Sequence, residues 1–313
     1  MLINNQDPFN STRLISLDKY FDEMVKLHNL GNLPKVMLLN GKKGIGKFTL
    51  VFHFLNYVYS KNENTHYNII DKVINTDSNF YKSILNGICP DVIFLRTTEG
   101  KNIKLDEVRH LKSTLTSSSL TGKPRFIIID EVEFLNLNSA NALLKILEEP
   151  GKNNYFILIN NLQADLIETI SSRCLKNNIF LNSIQRIKII DHLVDKNKIN
   201  CFIKPSFDLT PGVFIIYNEL FDKYKIDIEE NITSKLNKLL NAYKKDKNKV
   251  LINMSYFLID HFFYELVKNN EKKIEFLLNL KSIIVHKINN FVVYNLSINS
   301  VLNYIDLKIK NAR

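Results

Sequence analysis

The sequence contains little cysteine and no long apolar segment. Its three cysteines, Cys89, Cys174 and Cys201, are scattered and odd in number, which argues against a disulfide framework and against a four-cysteine zinc site. No run of about 18 consecutive apolar residues is present that could cross a bilayer. The N-terminal residues also lack the basic and apolar regions of a secretory signal. We therefore expect a reduced, cytoplasmic protein with no membrane partner.

Length and charge set two further bounds. A chain of 313 residues is long enough for two or three domains, each with its own core. The formal net charge is +10, from 42 Lys+Arg against 32 Asp+Glu, which favours contact with a polyanion such as DNA. A coding bias toward lysine, asparagine and isoleucine along the whole chain accounts for the same charge, so the charge alone is only supporting evidence for a DNA surface.

Apolar patterning predicts an α/β core followed by helices. Short, nearly continuous apolar runs at 36–40, 91–95, 125–130 and 155–160 predict buried parallel strands. Three- and four-residue spacings at 48–60 and 139–149 predict helices that pack on the sheet. Beyond residue 182 helical patterns take over, at 184–196, 234–245, 253–270 and 271–295. We predict domains at 1–182, 183–224 and 225–313.

A glycine-rich loop follows the first predicted strand and opens a helix. In NGKKGIGKFTL, Gly41, Gly44 and Gly46 allow backbone amides to turn toward a phosphate, and Lys47 can reach the terminal phosphates of a nucleotide. The loop thus predicts a site for ATP or ADP. A turn that only packs the helix close to the sheet explains the same glycines, so both interpretations stay open.

The magnesium ligand of such a site is in doubt. The motif G-x-x-x-x-G-K-[ST] ends here in Phe48, and Thr49 lies one residue later, about 100° further around the helix. The second motif is complete, because the apolar run RFIIID ends in Asp130 and Glu131 follows. In phosphoryl-transfer sites the first carboxylate holds Mg²⁺ and the second activates water.

Two longer segments carry a specific resemblance. DEVEFLNLNSANALLKILEEP (130–150) and YFILINNLQADLIETISSRC (155–174) resemble the clamp-loader subunits of bacterial DNA polymerase III, which are AAA+ proteins. The resemblance implies a P-loop AAA+ core with a parallel sheet, a small helical lid and an all-α C-terminal collar domain. It also implies a hetero-pentamer with gamma/tau and delta subunits that acts on the sliding clamp and on primed DNA.

Within that family the chain is similar to the delta-prime branch. Relatives often carry a zinc module of four cysteines where this chain keeps Cys89 alone, so zinc binding is not expected. Phe48 replaces the hydroxyl residue that an ATP-hydrolysing gamma/tau motor needs. LTPGVF (209–214) stands where motor subunits have a Gly-Ser-x-Arg sensor, and Gly212 takes the place of the arginine.

The resemblance also assigns roles to site residues. Arg173, between Ser172 and Cys174, matches an arginine that completes the ATP site of a neighbouring subunit; its alternative role is that of an ordinary surface arginine. Asn160, or its neighbour Asn161, matches a polar sensor of the γ-phosphate, and the alternative is a strand cap.

The function expected from the sequence is therefore that of a scaffold. It would supply a trans arginine to a neighbour while the clamp is loaded, with no intrinsic ATPase activity. The competing hypothesis is an active gamma/tau-type AAA+ ATPase. Polymerase activity is not expected, because the chain lacks the paired metal-binding carboxylates of a nucleotidyl-transfer site.

Overall fold

Contacts divide the chain into two units. In this computed structural model, the described residues are 7–96, 103–116, 122–205, 207–227, 229–269 and 273–310. The first unit comprises Met1–Ile199 and Pro205–Ile215, and the second comprises Asn200–Lys204 and Ile216–Arg313. The domain boundaries proposed from the sequence, after residues 182 and 224, stay a prediction.

The first unit is built on a parallel sheet. Among the described residues it has five strands, in the order β2-β3-β4-β1-β5. They are β1 (Val36–Asn40), β2 (Val92–Leu95), β3 (Arg125–Asp130), β4 (Asn154–Asn160) and β5 (Leu175–Asn178). The four apolar runs read from the sequence match β1 to β4. The sequence did not reveal β5, because its residues Leu-Lys-Asn-Asn are mostly exposed at the edge of the sheet and lack an apolar pattern.

Helices lie before, between and after these strands. They are α1 (Asp18–Asn29), α2 (Lys47–Ser60), α3 (Asn79–Leu85), α4 (Leu105–Thr116), α5 (Leu137–Glu148), α6 (Glu168–Ser171), α7 (Ser183–Asn197) and α8 (Pro211–Lys223). Side-chain N-caps define where several of these helices begin. Asn182 and Gln185 form a reciprocal capping box at α7, and the Asn136 side chain accepts from the Ser139 amide at α5.

Strand alternation divides the core between the two faces of the sheet. Successive side chains of a strand point to opposite faces. Accordingly, Met37 and Leu39 of β1 join the cluster with α1 and α2, whereas Val36 and Leu38 join the cluster with α4 and α5. A fully buried Leu or Phe contributes roughly 1.5–3 kcal/mol. The sheet is therefore covered on both faces, and polar chemistry is confined to its edges.

The second unit is helical in its described part. It contains the end of α8, then α9 (Ile232–Asp246), α10 (Lys249–Asn269), α11 (Ile274–Tyr294) and α12 (Ile298–Lys310). Leu236, Leu239 and Leu240 of α9 are fully buried, as the amphipathic spacing predicts. The fold class predicted from the sequence, a parallel α/β core with a helical C-terminal region, is confirmed.

One helix of the second unit is long and apolar enough to be compared with a membrane span. An 18-residue window within Lys249–Lys268 has a mean hydropathy of 1.2, and 39% of that window is buried inside the protein. The same length and composition occur in core helices of globular domains. This helix is therefore weak support for a membrane segment.

A buried histidine ties α2 to the segment that precedes α1. His53 is fully buried, and its Nε2 donates to the Ser11 carbonyl at 2.8 Å while its Nδ1 lies 2.9 Å from the Tyr67 hydroxyl. The carbonyl can only accept, so Nε2 carries the proton and Nδ1 accepts from Tyr67. Burial lowers the pKa of His53 from 6.5 to about 4.

We expect this histidine to make stability depend on pH. Between pH 6.5 and about 4 the unfolded chain binds a proton at His53 that the folded chain excludes. The contribution of His53 to the free energy of unfolding is therefore fully present above pH 6.5. It falls below that pH, by at most about 1.4 kcal/mol per pH unit. His53→Gln, whose amide can still donate to Ser11, should flatten the fall in Tm with decreasing pH. The exposed His66→Gln is the control, and parallel curves for all three proteins would contradict the prediction.

Candidate functional site

The carboxyl ends of three adjacent strands bring the predicted site residues together. Strand β1 pairs with β4, and β4 pairs with β3. The loop that begins at Gly41, Asp130 and Asn160 therefore meet at one edge of the sheet, which is where open α/β sheets bind ligands. The Gly41 amide donates to the Asn160 carbonyl at 3.2 Å, so the loop is joined directly to the end of β4.

The loop has the backbone shape of a phosphate cradle. Gly44 and Gly46 have φ angles of 83° and 95°, a left-handed region that other residues rarely adopt. Gly46 directly precedes α2, so the positive end of that helix points at the loop. Glycine is thus required at both positions for the backbone conformation.

Lys47 is directed back into its own loop. Its side chain is buried, and Nζ donates to the carbonyls of Gly41 at 2.6 Å and Lys42 at 2.9 Å. Burial lowers its pKa to about 8, and the charges of Asp130 and Glu133 partly oppose that effect. The ammonium that would contact a phosphate is thus solvated by two carbonyls.

The start of α8 covers the apex of the loop. The Thr210 hydroxyl donates to the Lys43 carbonyl at 2.6 Å, and the Gly212 amide donates to the Gly44 carbonyl at 2.8 Å. A Cβ added to Gly212 would lie 2.9 Å from the Gly44 Cα, closer than real contacts allow. Gly212 stands where related motor subunits have a sensor arginine. It is therefore also the residue that permits this close approach.

Arg186 of α7 holds the segment that leads to this cover. Its side chain is 8% exposed, and NH1 donates to the carbonyls of Pro205 at 2.9 Å, Phe207 at 2.6 Å and Leu209 at 3.3 Å. These carbonyls lie immediately before Thr210. The sequence prediction did not include Arg186, because nothing in its local pattern distinguishes it from a surface arginine.

The carboxylates of the second motif have cations of the chain beside them. Glu131 Oε1 lies 2.6 Å from Lys43 Nζ, and Asp130 Oδ2 lies 3.8 Å from Arg96 Nε. Burial raises the pKa of Asp130, and Arg96 opposes that effect. The sequence prediction also missed Arg96; its position directly after the second apolar run was the available signal.

The residues do not fit a magnesium ion. Phe48, at the position of the usual hydroxyl ligand, is buried at 6% exposure and contacts the rings of Phe9 and Phe94. Thr49 is half-buried on the next position of α2. Magnesium requires oxygen ligands in near-octahedral array, whereas here the Arg96 guanidinium lies beside Asp130. In the described part of the chain, no group of three or more His, Cys, Asp or Glu residues could hold a metal.

The two asparagines at the end of β4 have different contacts. The Asn160 amide donates to Asn40 Oδ1 at 3.1 Å, and its Oδ1 accepts from the Leu162 amide at 3.0 Å. Asn161 Nδ2 donates to Asp130 Oδ1 at 3.3 Å. Asn160 therefore forms contacts of a strand cap, and Asn161 is the one that contacts the acidic motif.

Arg173 lies at the amino ends of the strands, just before β5, whereas the loop and Asp130 lie at their carboxyl ends. Leu175, the first residue of β5, is opposite Met37, and Asn178 is opposite Asn40. The strand rises about 3.3 Å per residue, so Arg173 is separated by the length of β5 from the edge that carries Lys47. Arg173 therefore does not join the loop and Asp130 in this chain.

The surroundings of Arg173 are open. Its side chain is 38% exposed, with NH2 at 2.7 Å from Glu148 Oε1 and NH1 donating to the Thr169 carbonyl at 3.0 Å. Ser172 Oγ donates to the same carbonyl at 3.1 Å, and Cys174 Sγ donates to the Ile170 carbonyl at 3.1 Å. Burial raises the pKa of the Cys174 thiol to about 11. Ser172 and Cys174 thus fix the turn that presents Arg173.

We expect Arg186→Met to weaken the first unit. The substitution keeps most of the side-chain volume but removes the donor to three carbonyls, which should cost about 2–4 kcal/mol. Urea unfolding measures the difference. Arg109→Met, at an arginine that is 67% exposed, is the control and should change stability by less than about 0.5 kcal/mol. Equal losses of stability in both variants would show that the hydrogen bonds from Arg186 to the three carbonyls contribute nothing to the free energy of unfolding.

Comparison with known proteins gives several relatives. DNA polymerase III subunit delta' from Buchnera aphidicola subsp. Baizongia pistaciae is 28% identical over 53% of this chain and 53% of its own length. DNA polymerase III subunit gamma from B. aphidicola subsp. Acyrthosiphon pisum is 30% identical over 55% of this chain and 46% of its own length. This chain thus spans about half the length of these relatives.

One similar solved structure is that of a DNA polymerase III gamma subunit-related protein from Thermotoga maritima. It is 16% identical and covers 93% of this chain and 100% of that chain, with a TM-score of 0.47. A family model described as "DNA polymerase III, delta subunit" matches residues 17–181. That match takes in the loop, both acidic residues and Arg173 and extends over more than half of the sequence, so this chain belongs to the DNA polymerase III delta subunit family.

Proposed function

We propose that this chain is a delta-prime-type subunit of a bacterial clamp loader and that it supplies Arg173 to the ATP site of a neighbouring subunit. Its partners would be gamma/tau and delta subunits in a hetero-pentamer, acting in the cytoplasm on the sliding clamp and, through the complex, on primed DNA. The observation that carries the proposal is the position of Arg173, at the opposite edge of the sheet from the chain's own loop.

The contacts of Arg173 support a role in trans. An exposed ion pair such as Arg173–Glu148, with side chains 38% and 51% exposed, contributes about 0–1 kcal/mol. The guanidinium can therefore exchange Glu148 for a phosphate at little cost. An arginine supplied between proteins to a transferring phosphoryl group raises the rate by roughly 10³ to 10⁵ in related hydrolases.

The chain's own site supports the scaffold role over the motor role. Phe48 replaces a magnesium ligand, Lys47 donates to two loop carbonyls, and Gly212 approaches the loop where a sensor arginine would project. A site of this kind is poorly arranged to hydrolyse ATP. ATP or ADP binding without hydrolysis is compatible with the left-handed glycines that the loop keeps.

The second candidate function is that of a gamma/tau-type ATPase. It is favoured by the gamma subunits among the relatives and by the retained Lys47, Asp130 and Glu131. In that case Thr49 would have to serve as the magnesium ligand. Thr49→Ala would then abolish hydrolysis by the isolated chain, a result that the scaffold role does not allow.

We expect Arg173→Ala to lower ATP hydrolysis only in the assembled complex. The chain alone should be inactive, and the mixture with gamma/tau, delta, clamp and primed DNA should be active. The variant should slow the one adjacent ATP site by about 10³-fold, so the total rate falls to that of the remaining sites.

Lys82→Ala is the matched control, because Lys82 is another exposed cation, 3.2 Å from Asp77. It should leave the rate unchanged. Size-exclusion chromatography of each mixture separates a loss of catalysis from a loss of assembly. Assembly with an unchanged rate for Arg173→Ala would refute the trans role, whereas vigorous hydrolysis by the chain alone would favour the motor.

A further inference from the structure

Phe48 is part of an aromatic cluster that reaches the acidic edge of the sheet. Its ring lies 5.4 Å from that of Phe9 and 5.6 Å from that of Phe94, measured between centroids. Phe94 belongs to β2 and Phe9 to the segment before α1. The ring is therefore held from two sides, and its remaining face is available to a third group.

That third group is Arg96. Its guanidinium carbon lies 4.0 Å from the centroid of Phe48 and 5.5 Å from that of Phe9. The same guanidinium approaches two carboxylates, with Nε 3.8 Å from Asp130 Oδ2 and NH1 4.0 Å from Asp7 Oδ1. The cation thus lies over an aromatic ring and within ion-pair distance of Asp130.

Asp130 needs a positive charge at this position. Its side chain is only 17% exposed, and an ionised carboxylate in such surroundings is costly unless a cation or several donors compensate it. Asn161 supplies one donor at 3.3 Å, and the Glu131 amide supplies another at 3.0 Å. Lys43 pairs with Glu131, and Lys47 donates to the loop carbonyls while its charge also acts on Asp130. Among the described contacts, Arg96 is the cation that lies within ion-pair distance of Asp130.

We propose that Arg96, stacked on Phe48, is the permanent counter-ion of Asp130 and takes the electrostatic role that Mg²⁺ has in P-loop hydrolases. Phe48 then has two effects: it removes a metal ligand, and it supplies the surface on which the replacement cation is held. The carboxyl edge of the sheet is complete without a metal. This inference concerns the chain's own core and stands whether or not Arg173 acts in trans.

Arginine is suited to this role for a physical reason. A guanidinium is planar and weakly hydrated, so it can lie on a ring and still present N–H groups at its edge. An ammonium is a compact, strongly hydrated charge that cannot do both equally well. The charge of Arg96 and the ring of Phe48 should therefore act together and not as independent contributions.

The test is a double-mutant cycle on the full chain, with Arg96→Gln, Asp130→Asn and the double variant, each measured by thermal unfolding. Removal of Arg96 leaves a buried carboxylate unpaired, and a loss in Tm of several degrees, roughly 4–10 °C, is expected. Asp130→Asn in the Arg96→Gln background should cause a much smaller loss than in the wild type. Additive losses would overturn the proposal, because independent residues do not couple.

Two further arms keep the result decisive. Arg109→Gln is the control, since Arg109 is 67% exposed and pairs with Asp106 one turn away; it should not couple with Asp130→Asn. The Tm of the wild type should be the same in EDTA and in millimolar MgCl₂, a measurement that needs no variant to fold. A Tm of the wild type that rises with MgCl₂ would show that a metal, and not Arg96, balances Asp130.

Discussion

Burial of the central sheet on both faces is the constraint on which the rest of the first unit depends. Apolar side chains of β1, β3 and β4 alternate between two cores, so polar groups are accommodated only where strands end. The carboxyl ends carry the glycine loop, Asp130 and Asn160 to one edge. The amino end of β5 places Arg173 at the other edge. The same sheet thus separates the residues that could bind a nucleotide from the residue proposed to serve a neighbour.

Charges at the carboxyl edge are balanced by the protein itself. Lys47 is solvated by two loop carbonyls, and Glu131 pairs with Lys43. Asp130 faces Arg96, which lies on Phe48. In a low-dielectric setting each of these ions needs a partner, and in a nucleotide hydrolase the ligand and its metal provide several of them. A chain whose own residues balance these charges can keep the loop conformation without a bound ligand. That property suits a scaffold subunit.

Much of this arrangement could be predicted from the sequence. Four of the strands, the glycine loop, α2 and α5 follow from apolar patterning and from the order strand, glycine, helix. The meeting of Asp130 with the loop follows as well, because parallel strands align their carboxyl ends. The apolar patterns did not reveal α1, α3, α6, α8, α12 or β5. The first two precede or interrupt the regular alternation, and β5 is a polar edge strand whose pairing with β1 substitutes for apolar burial.

The sequence by itself determined where the buried elements lie and which residues carry the family's motifs, because those signals depend on local spacing and side-chain type. Only the tertiary structure decided which residues contact each other. Arg96 lies over the Phe48 ring and beside Asp130. Arg186 donates to the carbonyls before α8, and it is Asn161, not Asn160, that donates to Asp130. These contacts join residues far apart in the chain. Their formation depends on how helices and strands pack and on the cost of leaving a buried charge or carbonyl unpaired.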